Sequence, residues 1–86
     1  MNSQHTHNRA FGIVLRDLRR RKGYSQEELG FEADLARNYV SLMELGQRSP
    51  TLDTIVCLCN ALGISLPAFA ALIQAKVEEI GQESEA

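Results

Sequence analysis

Apolar residues recur at intervals of three and four along most of the chain, which is the spacing of one face of an α-helix. The first such segment is predicted from Arg9 to Lys22, where Gly23 is a typical C-terminal stop. Its apolar face consists of Phe11, Val14, Leu15 and Leu18. No alternation of apolar and polar residues is long enough to indicate a β-strand, so the pattern predicts an all-α fold.

Capping residues and the short interruption at residues 33–36 divide the rest of the chain into four more helices. Ser25 and Glu28 form the capping-box pattern of a helix N-terminus. Thr51 and Ser65 are N-cap residues of the same kind. The second predicted helix is Gln26–Ala33, and the third runs from Ala36 or Arg37 to Leu45. The fourth runs from the Thr51 cap to Leu62, and the fifth from the Ser65 cap to Ile80, which Gly81 follows. The prediction is therefore a five-helix domain.

Length and composition fit one small domain. The chain has 86 residues, of which 44% are apolar and 23% are charged, as is ordinary for a globular protein. Residues 1–8 are polar and have no periodicity, so a flexible N-terminal tail is expected there. Residues 9–80 form the expected domain, and residues 81–86 an acidic tail.

The net charge of −2 conceals an uneven distribution along the chain. Residues 1–77 carry nine Lys and Arg against seven Asp and Glu, a balance of +2, and the four remaining acidic residues follow them. The Arg19–Lys22 run is typical of a solvated helix C-terminus, with direct contact to DNA as the alternative. A mildly basic body permits nucleic-acid binding without demonstrating it.

Several classes of protein are disfavoured by what the sequence lacks. No apolar run approaches the roughly 20 residues of a membrane span, and no secretory signal pattern is present. Cys57 and Cys59 lie two residues apart on a predicted helix, where their side chains diverge. We therefore expect no disulfide between them, and we expect the protein to reside in the reducing cytoplasm. Because zinc-site spacing and a nucleophile–base pair are both missing, we expect no metal, cofactor, small-molecule ligand or enzymatic activity.

Residues 26–45 resemble the helix-turn-helix of the phage-repressor-like (Cro/Xre) family. The matching positions are Gln26, Leu29, Gly30, Ala33, Leu35, Val40, Met43, Glu44 and Gly46, and the family pattern extends from Phe11 to Phe69. Two positions depart from it: Asp34 stands where glycine is common in the turn, and Ala36 replaces the usual Ser, Thr or Asp before the third helix. The resemblance implies a lambda-repressor-like fold and, for function, a small DNA-binding transcriptional regulator or restriction–modification controller protein.

The resemblance also implies roles for individual residues. In such a fold the second helix of the motif enters the DNA major groove, so base contacts are expected from Arg37, Asn38, Ser41 and Leu42. Arginine pairs with guanine and asparagine with adenine, whereas leucine touches a thymine methyl. Phosphate contacts are expected from Ser25, Gln26, Tyr39, Gln47 and Arg48, with packing at the helix edge as the alternative for the tyrosine. A largely buried structural ion pair is expected between Arg19 and Glu44.

The fifth helix carries more apolar residues than a small domain uses, which indicates a dimer surface. The residues assigned to it are Phe69, Leu72, Ile73, Val77 and Ile80, which also belong to the core up to a point, with the later members extending beyond the small domain. The predicted function is a homodimeric transcriptional regulator, acting as a repressor or by autoregulation, that binds double-stranded DNA sequence-specifically. The alternative is a protein–protein interaction module, such as an antitoxin or the inhibitory partner of another regulator, which the acidic tail and the low overall charge favour slightly.

Overall fold

Five α-helices make up the fold. The computed structural model describes residues 3–85, with their side chains from residue 5 to residue 83. The helices are α1 (Ser3–Lys22), α2 (Gln26–Ala33), α3 (Arg37–Glu44), α4 (Leu52–Leu62) and α5 (Leu66–Glu85). The described residues contain no strand, and the all-α, five-helix prediction is confirmed.

The predicted caps lie where the sequence indicated. The Ser25 hydroxyl oxygen accepts a hydrogen bond from the Glu28 N–H, and the Glu28 carboxylate accepts one from the Ser25 N–H, which completes the capping box. Thr51 caps α4, and the Ser65 hydroxyl oxygen accepts from the Ala68 N–H at 3.2 Å. Local side-chain chemistry therefore sets the starts of α2, α4 and α5.

Helix α1 begins earlier than predicted. It starts at Ser3, so residues 3–8 of the expected flexible tail are helical, and residues 1 and 2 of that tail lie outside the described residues. The physical reason is tertiary: the turn at Gly46 lies against this part of the helix, and a Cβ atom on that glycine would be 3.2 Å from the Arg9 Cα. Ala10, one residue further along, is fully buried. Residues 3–8 have no apolar periodicity of their own, so the pattern could not predict this extension.

Helix α5 also runs past its predicted end. It continues through Gly81 to Glu85, so the expected acidic tail is helical over residues 81–85, and Ala86 lies outside the described residues. Gly81 costs helix propensity but does not take the positive φ that ends a helix. Polar pairs one turn apart support the final turns, including Lys76 Nζ to Glu79 at 3.1 Å.

Every helix contributes large side chains to the core. Its fully buried members are Leu15 on α1, Leu29 on α2, Val40 and Met43 on α3, Leu58 on α4 and Phe69 on α5. The rings of Phe11 and Phe69 lie 5.7 Å apart between their centroids, which joins α1 to α5. Burying each large apolar side chain contributes about 1.5–3 kcal/mol, so this cluster is the main source of stability.

Two residues of the predicted dimer surface belong to this interior instead. Phe69 is fully buried and Ile80 is 4% exposed within a single chain, so both are corrected from surface to core. Ile73 lies between them on the same helical face and packs partly against the core. This face of α5 is apolar because it packs within the chain. Leu72 and Val77 stay partly exposed.

The first turn of α4 buries a different residue from the one that the apolar spacing predicts. Apolar spacing along the fourth helix predicts that Leu52 faces inward with Leu58, Cys59 and Leu62, but Leu52 is 67% exposed and Thr54 is buried instead. The Thr54 hydroxyl lies 3.0 Å from the Thr51 hydroxyl, so its polar group keeps a partner within the chain. Apolar spacing alone could not separate these two positions.

Candidate nucleic-acid interface

Helices α2 and α3 are joined by the short turn 34–36. Asp34 adopts the left-handed conformation, with φ 59° and ψ 46°, at the position where the resemblance placed a left-handed glycine. Aspartate tolerates this conformation better than most residues. The turn is tied back to α2, because the Leu35 N–H donates to the Gly30 carbonyl at 2.7 Å. These bonds fix the angle at which α3 leaves the turn.

Two glycines allow the close packing of the motif. A Cβ atom at Gly30 would lie 2.6 Å from the Leu35 carbonyl oxygen, so only glycine fits beside the turn. A Cβ atom at Gly12 would lie 2.5 Å from the carbonyl oxygen of Met43 and 2.6 Å from that of Glu44, where α1 crosses the end of α3. The second requirement was missed in the sequence, although a glycine inside an apolar-periodic helix is the signal for it.

Helix α3 presents two different faces. Val40 and Met43 are fully buried, and they anchor the helix to the core. On the opposite face Arg37 and Asn38 are exposed, and Ser41 and Leu42 are half-buried. The structure therefore brings the four predicted base-contacting residues together on one accessible side of the helix.

The N-terminus of α3 has no side-chain cap. Ala36, at the N-cap position, offers no acceptor group, and the first intrahelical bonds come from the N–H groups of Tyr39 and Val40 to the Ala36 carbonyl. The backbone N–H groups of Arg37 and Asn38 therefore stay available to an external acceptor. Together with the helix dipole they favour an anion at this end of the helix.

Arg19 and Glu44 form a largely buried ion pair between α1 and α3. Arg19 Nε lies 2.6 Å from Glu44 Oε2, and Arg19 Nη2 lies 2.9 Å from Oε1, a two-pronged contact. The two side chains are 10% and 4% exposed. The hydrogen bond to Glu44 raises the pKa of Arg19 further above its already high ordinary value, against the opposing effect of burial. Arg19 Nη1 also donates to the Tyr24 carbonyl at 2.9 Å, which ties the pair to the turn before α2.

The N-terminus of α2 is partly occupied by its own cap. The helix start at Ser25 predicts free backbone N–H groups from Ser25 to Glu27. The Ser25 N–H nevertheless donates to Glu28 Oε1 at 2.8 Å and is not free. This is a correction with a local cause, since the capping box uses that donor. The same hydrogen bonds lower the pKa of Glu28 below its ordinary value. The N–H groups of Gln26 and Glu27 are the ones that the box leaves open.

A shallow depression separates the N-termini of α2 and α3. It is lined by Arg19, Ser25, Gln26, Glu27 and Arg37. The structure thus brings two predicted phosphate-contacting residues beside a predicted base-contacting one. Gln26 Nε2 donates to Glu44 Oε1 at 3.1 Å, so one of its two amide hydrogens is used within the protein. The exposed Glu27 carboxylate is the one lining group of this depression whose charge repels an anion.

The other three predicted phosphate-contacting residues lie on α3 and in the loop that follows it: Tyr39, Gln47 and Arg48. Tyr39 packs partly against the core. This placement agrees with the alternative role given to it above, packing at the helix edge. The Arg48 guanidinium carbon lies 6.0 Å from the centroid of the tyrosine ring, at the edge of the range for a cation–π contact. Gln47 is exposed, and its backbone N–H donates to the Leu42 carbonyl. The loop after α3 is therefore held beside the helix, with one cation alongside it.

Other candidate chemistry is sparse in the part of the chain that the structure describes. Cys57 is exposed, whereas Cys59 is buried, and burial raises the pKa of the Cys59 thiol. Among the side chains described, those of residues 5–83, no group of three or more His, Cys, Asp and Glu is placed to hold a metal ion. No single described helix is long and apolar enough to cross a membrane. Only α4 and α5 together pass by length and composition, and they are bent by 104°.

Comparison with known proteins supports the same reading of the fold. The sequence model described as Helix-turn-helix matches residues 15–69. The control protein C.BamHI of Bacillus amyloliquefaciens is 46% identical over 55 residues, which cover 63% of this chain and 68% of that protein. The uncharacterized HTH-type transcriptional regulator y4dJ of Sinorhizobium fredii is 44% identical over 48 residues. The match covers 56% of this chain and 62% of y4dJ, less than two thirds of its length.

Solved structures extend the likeness to three dimensions. The restriction–modification controller protein C.AhdI of Aeromonas hydrophila is 44% identical, with a TM-score of 0.70 over 72% of this chain and 94% of that one. The clp gene regulator ClgR of Corynebacterium glutamicum has a TM-score of 0.86 over 92% of this chain and 84% of that one. At 23% identity, ClgR is evidence of the fold alone. The chain belongs to the helix-turn-helix family, in its phage-repressor-like (Cro/Xre) form.

Proposed function

We propose that this protein is a cytoplasmic transcriptional regulator that binds double-stranded DNA sequence-specifically as a homodimer, with α3 in the major groove. One observation carries the proposal: α3 buries Val40 and Met43 completely while Arg37 and Asn38 on its other side stay exposed. A helix anchored in this way has a fixed backbone, so its outward side chains project from fixed positions, as base readout requires.

The outward side chains of α3 have the chemistry of base recognition. The Arg37 guanidinium can donate two parallel hydrogen bonds to guanine O6 and N7, and the Asn38 amide can pair with adenine N6 and N7. Leu42 offers an apolar surface for a thymine methyl, and the Ser41 hydroxyl can bond a base or a phosphate. Four such positions on one side of one helix suffice to distinguish several neighbouring base pairs.

Phosphate contacts flank this surface on both sides. The depression between α2 and α3 offers the free N–H groups of Gln26 and Glu27, the Gln26 amide and the Ser25 hydroxyl hydrogen. Beyond the other end of α3, Gln47 and Arg48 are exposed, with Tyr39 beside the arginine. Such contacts fix the register of a protein on the duplex, and base contacts then read the sequence.

The relatives support a regulatory role. C.BamHI is named a control protein, C.AhdI a restriction–modification controller protein, and y4dJ a transcriptional regulator. Control of a restriction–modification system is accordingly one role that this chain fits, and repression by occupying a promoter is the other. Because the family is one of DNA-binding regulators, the chain is not an enzyme.

The dimer interface needs a surface other than the one first expected, because Phe69 and Ile80 are core residues. Leu52 and Val56 lie one turn apart on α4 and are 67% and 42% exposed, and Leu66 at the start of α5 is 42% exposed. Adjacent large apolar side chains on a surface, as Leu52 and Val56 are, mark interaction sites. We place the interface on this α4 face, with Leu72 on α5 as the alternative.

Selection of bound duplexes from a random pool, using the purified protein, tests the proposal. We expect enrichment of a two-fold-related sequence whose half-sites lie about 10–10.5 base pairs apart, one helical turn. Affinity for the selected duplex should fall linearly with salt on logarithmic axes, because phosphate contacts release counterions. If no sequence is enriched and binding does not depend on salt, the proposal is wrong.

A second candidate function rests on a different surface. Phe31 on the outer face of α2 is 83% exposed, and Glu27, Glu28 and Glu32 surround it in a shallow groove. An exposed aromatic residue with a charged rim is typical of a protein-binding hot spot, here for a basic partner. Were protein interaction the main function, Phe31→Ala would abolish regulation in cells while DNA affinity stayed unchanged.

A further inference from the structure

We infer that Glu44 is a positioning residue for DNA phosphate binding, which acts by orienting the side-chain amide of Gln26. This inference rests on the proposed function. It assigns a binding role to a residue that is buried, carries the same charge as a phosphate, and was expected to be purely structural.

Glu44 is held by three hydrogen bonds from two residues. Its carboxylate accepts hydrogen bonds from Arg19 Nε and Nη2 and from Gln26 Nε2, at 2.6, 2.9 and 3.1 Å. The side chain is 4% exposed, so no solvent competes for these bonds. Arg19 is fixed in turn by its bond to the Tyr24 carbonyl. The carboxylate therefore stands at one place relative to the N-terminus of α2.

A carboxylate selects one orientation of the neighbouring amide. The Gln26 amide has a donor side and an acceptor side of nearly the same shape, but Glu44 accepts hydrogen bonds and donates none. Only the nitrogen side can therefore face it. The nitrogen carries two hydrogens, of which Glu44 takes one. Gln26 also lines the depression with Ser25 and Arg37. The second hydrogen of the Gln26 amide is therefore available there to donate to a phosphate oxygen.

Charge and orientation predict opposite effects of removing this carboxylate. By charge alone, neutralising Glu44 would leave the Arg19 cation uncompensated beside the depression and so tighten DNA binding. By orientation, the same change frees the Gln26 amide to turn its carbonyl oxygen toward the phosphate and so weakens binding. The sign of the effect therefore separates the two roles.

A double-mutant cycle with Glu44→Gln and Gln26→Ala provides the test, on the selected duplex and at a temperature where circular dichroism shows every variant folded. The glutamine introduced by Glu44→Gln is nearly the same shape but can donate as well as accept, so the selection is lost. We expect Glu44→Gln to weaken binding about fivefold, the effect of one net hydrogen bond. In the Gln26→Ala background it should weaken binding no further. Glu27→Gln, which removes an exposed carboxylate from the same depression, is the control and should tighten binding.

A measurement on the unmodified protein covers the case in which Glu44→Gln does not fold. The two hydrogens of the Gln26 amide should give separate NMR signals, one of them protected from solvent exchange by the bond to Glu44. Adding the duplex should shift the other signal. The inference is overturned if neither signal is protected or shifted, if Glu44→Gln tightens binding, or if it weakens binding equally in both backgrounds. Absence of salt-dependent DNA binding by the unmodified protein would instead refute the proposed function, and this inference with it.

Discussion

Neighbouring residues of α3 have different tasks because a helix turns by about 100° per residue. Val40 and Met43 contribute to the core and leave no freedom for the helix to rotate. Arg37 and Asn38 contribute little to folding, since they are exposed. Substitutions on the two sides of this one helix should therefore affect separate observables, stability on one side and DNA binding on the other.

Replacing Arg37 with alanine tests the base-contact role directly. We expect a loss of about 1–3 kcal/mol in binding to the selected site and a relaxed preference at one base position, because a bidentate contact with guanine is lost. The melting temperature should stay unchanged. Binding to duplexes with each of the four bases at every position provides the measurement. Equal weakening on all duplexes would mean that Arg37 contacts only phosphate.

Residue-level chemistry was the part of the candidate site most open to prediction. The four outward positions of α3 followed from helical periodicity once the motif was recognised, and the structure places them together. The bond between Gln26 and Glu44 was missed, because it joins residues 18 positions apart and, unlike the Arg19–Glu44 pair, was not implied by the family resemblance. Its formation depends on how α2 and α3 cross, which the spacing of residues in the sequence does not specify.

At the scale of the helices, close crossings decide which glycines are essential. Gly12→Ala should lower the free energy of unfolding by about 1–3 kcal/mol, because its Cβ would meet backbone oxygens of α3 that cannot move independently. Gly81→Ala is the matched control, since a Cβ there meets nothing within 4 Å. It should raise stability by about 0.4–1 kcal/mol through helix propensity. Urea unfolding measures both, and equal effects would contradict the crossing at Gly12.

The capping box makes the stability of the α2 N-terminus depend on pH. Hydrogen bonds with Ser25 lower the pKa of Glu28 below the ordinary value of 4.5. The stabilisation is therefore complete above pH 4.5 and is lost as the pH falls through the lower pKa of the folded state. The protection factors of the α2 amides, which correct for the pH dependence of intrinsic exchange, should fall over that acidic range, and Glu28→Gln should remove this dependence. An NMR titration that gave Glu28 an ordinary pKa would contradict the prediction.

Helix ends show where prediction from sequence succeeds and where it fails. Ser25, Thr51 and Ser65 were identified because a cap acts on its own turn of backbone. The start of α1 was missed because packing against a turn distant in sequence extends it. The end of α5 was missed because polar pairs one turn apart carry the helix past Gly81. Residues 3–8 are polar and Gly81 is a poor helix former, so local propensity there points away from the structure.

The whole molecule is elongated, with principal extents of 39 × 23 × 22 Å. Much of its length comes from α1 and α5, of 20 residues each. The apolar face of α5 was expected to join two subunits, and Phe69 and Ile80 turned out to be buried within one. Amphipathic spacing predicts that a helix face is covered. It does not predict whether the cover comes from the same chain.

Oligomeric state is the prediction that belongs to the whole molecule. Leu52→Glu combined with Val56→Glu should shift the dimer toward monomer in sedimentation equilibrium, because charges would be buried at the proposed α4 interface. Leu72→Glu, on the partly exposed side of α5, is the matched control and should leave the mass unchanged. The reverse result would move the interface to α5.

The separation of buried and outward residues on α3 has a practical consequence for redesign. Positions 37, 38, 41 and 42 can be randomised together while the supporting scaffold, with its glycines and its Arg19–Glu44 pair, is left intact. Most members of such a library should fold, and they should differ mainly in which operator they prefer. New specificities could then be obtained by selection without first restoring stability.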